Sequence, residues 1–279
     1  MIKTPAFNDR VERKFEVRVS KSEVATLWRD LSALLKPHNV HPVQEITSVG
    51  SVYFDNKDFD LLRFNLLGHF LLFRIRSYEM FGTNPSEISQ YWIEVKTANG
   101  ERRQKKRFGL SRARLQMFLE GRSYDEVRDC IDDALPDFVV PRTLFQELQE
   151  TLVTMGLTPR LLVLYKRVAF QGDQERLSID WDLQYFNANL VTCSATSWKY
   201  LDDEPAGTSE NVIMEIKCIR NEMPDWFSEL ESRYPIRRRE YLKPIEGMDA
   251  LFRKSLAHHK TANYFRPRIA AYMASSELG

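Results

Sequence analysis

Apolar and polar residues alternate over residues 11–19, which predicts a strand. Ser20 with Glu23 three residues on is a capping-box pattern. Val24, Leu27, Trp28, Leu31, Leu34 and Leu35 then recur at helical spacing until Pro37. Short β-rich runs at 51–54, 70–78 and 91–97 predict further strands, and residues 64–73 read as core. Asn99-Gly100 marks a turn, so 102–108 reads as the return strand of a hairpin. A helical stretch follows. Ser111 caps a segment holding Leu115, Phe118 and Leu119, and Ser123 with Glu126 opens a second. From Pro141, the residues Leu144, Leu148, Leu152 and Met155 share one face up to Gly156. Strand signals return at 161–170, 176–183, 189–199 and 212–219, with a polar loop at 202–210. Trp226, Phe227 and Leu230 predict a short helix, and Met248, Leu251, Phe252 and Leu256 a last one at about 246–260. After about Asn263 no pattern is visible.

No linker separates the two groups of strands. The order therefore predicts one α+β domain over 1–279, with about eight antiparallel strands and a helical insertion at about 111–158.

Charge placement changes this picture. Glu12-x-Lys14, Glu94-x-Lys96 and Glu215-x-Lys217 each lie inside a predicted strand, as do Arg74-x-Arg76 and Arg176-x-Ser178-x-Asp180. Strand residues two apart point to the same side, so each pair shares a face. The opposite faces carry Leu71, Phe73, Ile75, Ile93, Val95, Met214 and Ile216. An antiparallel sheet with one dry and one solvated face would also give this alternation. Two features weigh against that simpler arrangement: Arg and Lys dominate the polar faces, and the charges recur in nearly every strand. If the helices cover the apolar faces from outside, the charged faces meet inside an eight-stranded antiparallel β-barrel.

Composition narrows the ligand. The chain has 279 residues, 43% apolar, 28% charged and 12% aromatic, enough for a full core and unlike a disordered chain. Forty basic and thirty-nine acidic residues leave a net charge of +1, which gives no sign of a nucleic-acid or membrane-surface binder. Cys130, Cys193 and Cys218 form no CxxC and predict neither a disulfide framework nor a zinc ribbon. The longest apolar run, 66–73, is broken by Gly68 and His69, and no signal-peptide core is present, so a cytoplasmic protein without membrane insertion is expected. His258-His259 reads as surface, and Arg237-Arg238-Arg239 as a solvated turn or a positively charged mouth. There is no Walker A loop, Rossmann glycine pattern or GxSxG nucleophile.

An interior crowded with cations is costly unless an anion enters, because burying an unpaired charge costs several kcal/mol. A linear chain of phosphates matches a ring of Arg and Lys. The remaining carboxylates would suit Mg²⁺ or Mn²⁺, which prefer oxygen ligands and bridge phosphates.

At these residues the sequence resembles the triphosphate tunnel metalloenzymes, and among them the polyphosphate-polymerase (VTC) domain of vacuolar transporter chaperone proteins. The resemblance is spread over roughly 10–255. It rests on Glu12-Arg13-Lys14-Phe15, Ser51-Val52-Tyr53-Phe54-Asp55 with Phe59-Asp60, Phe73-Arg74-Ile75-Arg76, Glu94-Val95-Lys96-Thr97 and Lys105-Lys106-Arg107-Phe108. It continues through Tyr165-Lys166-Arg167, Ala169-Phe170-Gln171, Arg176-Leu177-Ser178-Ile179-Asp180 and Glu215-Ile216-Lys217. The resemblance implies a triphosphate tunnel with helices outside. By matching positions, Lys14, Arg74, Arg76, Lys96, Lys105, Arg107, Arg167, Lys217 and Lys243 would hold phosphates. Of these, Lys14, Arg74, Arg76, Lys96, Arg167 and Lys217 would carry the catalysis. Glu215 would lead the binding of Mn²⁺ or Mg²⁺, with Glu94 and Asp180 as helpers.

Two departures qualify the match. The CYTH-type hydrolases begin Glu-x-Glu-x-Lys, whereas Arg10 stands first here, which favours the polymerase branch. The polymerase branch has Ser-Lys-aromatic near its end, where this chain has Leu242-Lys243-Pro244 followed by Gly247. The expected activity is polyphosphate synthesis from ATP, a phosphotransferase reaction. Its rivals are hydrolysis of tripolyphosphate or a nucleoside triphosphate, and non-catalytic binding of polyphosphate or inositol phosphate. No sensor domain or membrane anchor is expected with the domain, so translocation of a polymer would need a membrane-protein partner in trans.

Overall fold

The computed structural model describes residues 11–80, 90–99, 102–131, 137–190, 193, 204–219, 222–240 and 242–275. Eight long strands appear, as the alternation predicts: β1 (Val11–Val17), β2 (His41–Asp55), β3 (Leu71–Met80), β4 (Tyr91–Asn99), β5 (Arg102–Leu110), β6 (Thr158–Gln171), β7 (Glu175–Asn187) and β9 (Val212–Cys218). Two three-residue strands join them, β8 (Gly207–Ser209) and β10 (Ile236–Arg238). All pairings are antiparallel, in the order β10-β1-β9-β7-β6-β2-β3-β4-β5, with β8 added on β7. Among the described residues neither β5 nor β10 pairs with a further strand, so the sheet curls without being joined by hydrogen bonds across its ends.

Helices cover the outer face in two groups. Helix α1 (Val24–Leu35) and α6 (Trp226–Arg233) bury Leu27, Leu31, Phe227 and Leu230 against Phe15, Phe170, Ile179 and Met214. Helices α3 (Arg112–Leu119), α4 (Tyr124–Arg128) and α5 (Arg142–Thr154) bury Phe118, Val127 and Phe145 against Phe73, Ile75, Ile93 and Phe108. Their starts follow the sequence signals. Ser111 Oγ accepts from the backbone N–H of Arg114, and Ser20–Glu23 and Ser123–Glu126 form complete capping boxes. Gly121 and Gly156 take φ of 79° and 60°, the left-handed stop of a helix.

The third helical group departs from the all-outside scheme. Helix α7 (Lys243–Arg253) packs Ile245, Met248, Leu251 and Phe252 on Leu161, Val163, Leu183 and Tyr185, with α2 (Asp60–Leu66) and α8 (Ala262–Ser275) behind it. That cluster also holds Leu72 and Tyr53, which share a strand face with Arg74 and Arg76 or hydrogen-bond to them. Helix α7 therefore lies against the inner face and stoppers one end of the curled sheet.

Other expectations are corrected. The 51–54 run belongs to a fifteen-residue strand whose irregular register between Pro42 and Thr47 hides its alternation. The described part of the 189–199 run is a helical turn, in which Cys193 N–H donates to the Asn189 carbonyl, and the rest lies outside the described residues. The polar loop at 202–210 contains β8, and the patternless tail contains α8. Phe64 and Leu67 are exposed, whereas Phe73 is core. Arg237-Arg238-Arg239 is neither a turn nor fully solvated: it forms β10 and its continuation, and Arg239 is buried against Glu16. His258 is exposed, and His259 packs edge-on against Phe59. Arg10 and Gly100 lie outside the described residues. No helix among the described residues is long and apolar enough to cross a membrane.

Candidate active site

Register builds the inner face. In β1 and β9, Glu12 stands opposite Lys217 and Lys14 opposite Glu215, so each Glu-x-Lys pair meets the other with acid against base. Lys14 and Lys217 each lie 3.5 Å from Glu12, and Lys217 also pairs with Glu215. In β3 and β4, Arg74 stands opposite Glu94, and in β4 and β5 Lys96 stands opposite Lys105 and Glu94 opposite Arg107. Arg107 lies 3.7 Å from Glu94. In β6 and β7, Arg167 stands opposite Asp180. A bulge at Asp182, with φ of 57°, shifts the alternation so that Asp180 and Leu183 both face inward.

These strands lie far apart in the sheet, yet their charges act on one another. Lys96 on β4 is pushed well below its ordinary range by burial, then by Arg74, by Lys217 on β9 and by Arg76. Glu215 on β9 is held well below the usual carboxylate range: burial opposes this, but Lys217, Lys14, Arg167 and Lys96 outweigh it. Lys105, exposed at the β5 edge, is lowered to about 8 by desolvation and then by Arg107. Strand register puts Lys14, Arg74, Arg76, Lys96, Lys105, Arg107, Arg167 and Lys217 on the inner face of the curled sheet, and α7 brings Lys243 to Asp180 on that same face.

Two carboxylates act as clamps. Glu94, 1% exposed, accepts from both Arg74 Nε and Nη2, at 2.8 and 2.5 Å. Asp180 accepts from Arg167 Nε and Nη2 at 2.5 and 2.7 Å and from Lys243 Nζ at 2.7 Å. Burial raises the Asp180 acid, but Arg167 and Lys243 hold it down at about 2. Both carboxylates are thus occupied by cations on the protein, as Glu215 is by Lys217. Among the described residues no three His, Cys, Asp or Glu side chains gather as a metal site, so Glu215, Glu94 and Asp180 do not form a common ligand set.

Three of these nine cations lack an acidic partner among the described residues. Arg76, 7% exposed, donates only to Ser51 Oγ at 2.9 Å and Tyr78 Oη at 3.5 Å. Lys96 and Lys105 face each other with no carboxylate in ion-pair range. The sequence reading missed the hydroxyls of this face: Ser51 and Tyr53 beside the arginine pair, Tyr78 two residues past Arg76, and Tyr165 two before Arg167. The two-residue strand period that found the cations could have found them. The Tyr165 ring lies under Arg167 and Lys243, and its buried hydroxyl has no hydrogen-bond partner among the described residues. Burial pushes the Tyr78 phenol up, yet Arg76 and Arg167 bring it to about 8. A separate cleft of about 320 Å³, between the β6–β7 turn and α6, is lined by Asp173, Glu175, Glu222 and Asp225, the wrong sign for an anion.

The VTC domain family matches residues 9–252. The chain is 24% identical over 255 residues to vacuolar transporter chaperone complex subunit 4 of Schizosaccharomyces pombe, covering 81% of this chain and 35% of that one. It is 28% identical over 228 residues to the Trypanosoma cruzi protein of the same name, covering 73% and 28%. It thus spans about a third or less of the length of these curated relatives. A solved Bacillus halodurans structure, described as a candidate adenylate cyclase, aligns with TM-score 0.45 at 15% identity, over 85% of this chain and 97% of that one.

Proposed function

Because the chain belongs to the VTC domain family, we propose that it catalyses metal-dependent phosphoryl transfer on tri- or polyphosphate, with ATP as donor and a growing polyphosphate as acceptor. The observation that carries this reading is the set of inner cations without counter-ions, Arg76 and Lys96 above all. A buried, unpaired guanidinium costs several kcal/mol and calls for an anion. Phosphate oxygens, spaced along a chain, answer several such groups at once through charge-assisted hydrogen bonds.

In the reaction a terminal oxygen of the acceptor chain attacks the γ-phosphorus of ATP. A new P–O bond forms, the bond to the β,γ-bridging oxygen breaks, and ADP leaves. Lys14, Arg74, Arg76, Lys96, Lys105, Arg107, Arg167, Lys217 and Lys243 orient the phosphates and stabilise the charge spread over the moving group. Glu94 and Asp180 are positioning residues that fix Arg74 and Arg167. The carboxylates of Glu215 and Glu12, both ion-paired to Lys217, fit a hard divalent cation. They would hold Mn²⁺ or Mg²⁺, which when bound would supply positive charge to offset that of the phosphates. The three cysteines are free, in keeping with a reaction on the cytoplasmic side, and a membrane protein in trans would carry any polymer across a bilayer.

The test is to incubate the pure protein with ATP and Mn²⁺ and resolve the products on a polyphosphate gel. A ladder of chains is expected. Orthophosphate without a ladder would assign the same interior to triphosphate hydrolysis, and no turnover with tight phosphate binding would assign it to a binding module.

A further inference from the structure

Register orders the inner face outward from its stoppered end. Leu72 on β3 belongs to the apolar cluster under α7. Away from it, β3 presents Arg74, Arg76 and Tyr78, while β4 sets Lys96, Glu94 and Trp92 opposite Leu72, Arg74 and Arg76. On β5 the same three levels carry Lys105, Arg107 and Gly109. Exposure along β3 follows this order: 8, 5 and 7% at Leu72, Arg74 and Arg76, then 38% at Tyr78. The inner face therefore opens past the arginine pair, where Trp92 and Tyr78 stand.

Trp92 is the exception among these residues, a large aromatic ring in polar surroundings. It is half-buried and belongs to none of the three apolar clusters, unlike Tyr91 and Ile93 on either side of it. Its cross-strand neighbours are Arg76 and Gly109. The Arg107 guanidinium lies 4.4 Å from the centre of its ring. A Cβ at Gly109 would collide with the Gln90 side chain, so an amide stands where β5 brings no side chain of its own. A cation over an indole is often no more than packing that steadies the cation. Arg107, however, also has a carboxylate beside it, Glu94 at 3.7 Å. An indole adds no charge for a phosphate to meet. It offers a flat face, which a nucleotide can use and an inorganic phosphate chain cannot.

We propose that Trp92, backed by Arg107, is the stacking platform for the base of a nucleoside triphosphate whose phosphates lie among Arg74, Arg76 and Lys96. The platform favours a nucleotide over a bare phosphate chain, and the proposal rests on the phosphate reading of the interior. The experiment measures, by calorimetry, binding of ATP and of tripolyphosphate to the full chain and to Trp92→Ala and Trp92→Phe. Trp92→Ala is expected to weaken ATP about tenfold, as loss of one base–aromatic stack does, while tripolyphosphate stays within about twofold because Arg107 keeps Glu94. Trp92→Phe should recover most of the ATP affinity. Indole fluorescence gives a second readout that needs no alanine variant: ATP should quench the unaltered protein more than it quenches Trp92→Phe. Equal losses for both ligands in Trp92→Ala would reduce Trp92 to a support for Arg107. That result, no loss for either ligand, an ATP loss that phenylalanine does not recover, or equal quenching in the two proteins would overturn the platform and leave the interior reading intact. Failure of the unaltered protein to bind either ligand would overturn both.

Discussion

Arg74 and Glu94 stand directly opposite each other on neighbouring strands, and two guanidinium nitrogens converge on one carboxylate oxygen, Oε2, at 2.8 and 2.5 Å. Both side chains are almost wholly buried. Glu94→Ala would leave a buried guanidinium without its counter-ion, at a cost of about 3–5 kcal/mol. Denaturant unfolding checks the size of the loss. Tripolyphosphate should restore part of it, because the ligand would supply the missing negative charge.

Arg76 predicts the opposite trade. Its guanidinium rests on hydroxyls alone, so the charge is an expense to the folded chain before any ligand arrives. Arg76→Met fills similar space without a charge, at the cost of leaving Ser51 without its donor. Stability should stay within about 1 kcal/mol of the parent or rise, since replacing buried charges by apolar groups is often neutral or stabilising. Turnover should fall by about a hundredfold or more, as when one contact to a reacting charge is lost. Unfolding curves and a phosphate-release assay on the same sample measure both. A large loss of stability would show that Arg76 holds the fold rather than the ligand.

The strand period made Lys14, Arg74, Arg76, Lys96 and Lys217 legible, because each lies two residues from another charged residue on its strand, whereas Lys105, Arg107, Arg167 and Lys243 were legible only through the family resemblance. The same period made the outer helices legible, through the apolar residues between those charges. Three features escaped it. Arg237 sits on a strand of only three residues, too short for any period to register. Asp180 and Leu183 share a face only because of the bulge at Asp182, which no alternation predicts. Helix α7 is amphipathic like the outer helices, and nothing in its own pattern says that its apolar side meets the inner face of the sheet.

Lys96 and Lys105 give a pH signature. Burial and neighbouring cations lower both ammonium groups in the free protein, Lys105 to about 8. A bound phosphate favours the charged form and raises them again. Between the free and bound values the complex holds more protons than its parts, so binding takes up protons and affinity falls as pH rises past about 8. Calorimetry of tripolyphosphate binding in buffers of differing ionisation heat measures the exchange. The uptake should shrink in Lys105→Met. An unchanged uptake in that variant would remove Lys105 from the contact.

Glu215→Gln separates catalysis from binding. The carboxylate is ionised and ion-paired to Lys217, so its loss frees a cation for the anionic ligand. Metal-free tripolyphosphate binding should be equal or tighter by calorimetry, while turnover with Mn²⁺ falls by about a hundredfold or more. A parallel fall in binding and turnover would give Glu215 a structural role instead.

Gly247 tests whether the stopper positions the chemistry. A Cβ built there would come within 2.7 and 2.8 Å of Leu161 Cδ2 and Cδ1 and 2.9 Å of Tyr185 Cδ1. These are buried side chains of β6 and β7, so neither has open space to move into. Gly247→Ala must therefore lift α7 from the sheet or distort both strands, and overpacking of this kind costs about 1–3 kcal/mol. The helix begins with Lys243, whose ammonium reaches Asp180 at 2.7 Å and sits over Tyr165. Lifting the helix withdraws Lys243 and leaves Asp180 with Arg167 alone. The variant should lose stability in that range and lose turnover as well. Lys243→Met should reproduce the loss of turnover without the steric strain. If Gly247→Ala destabilises the protein while turnover of the folded fraction is unchanged, then α7 closes the end of the sheet without setting the position of Lys243.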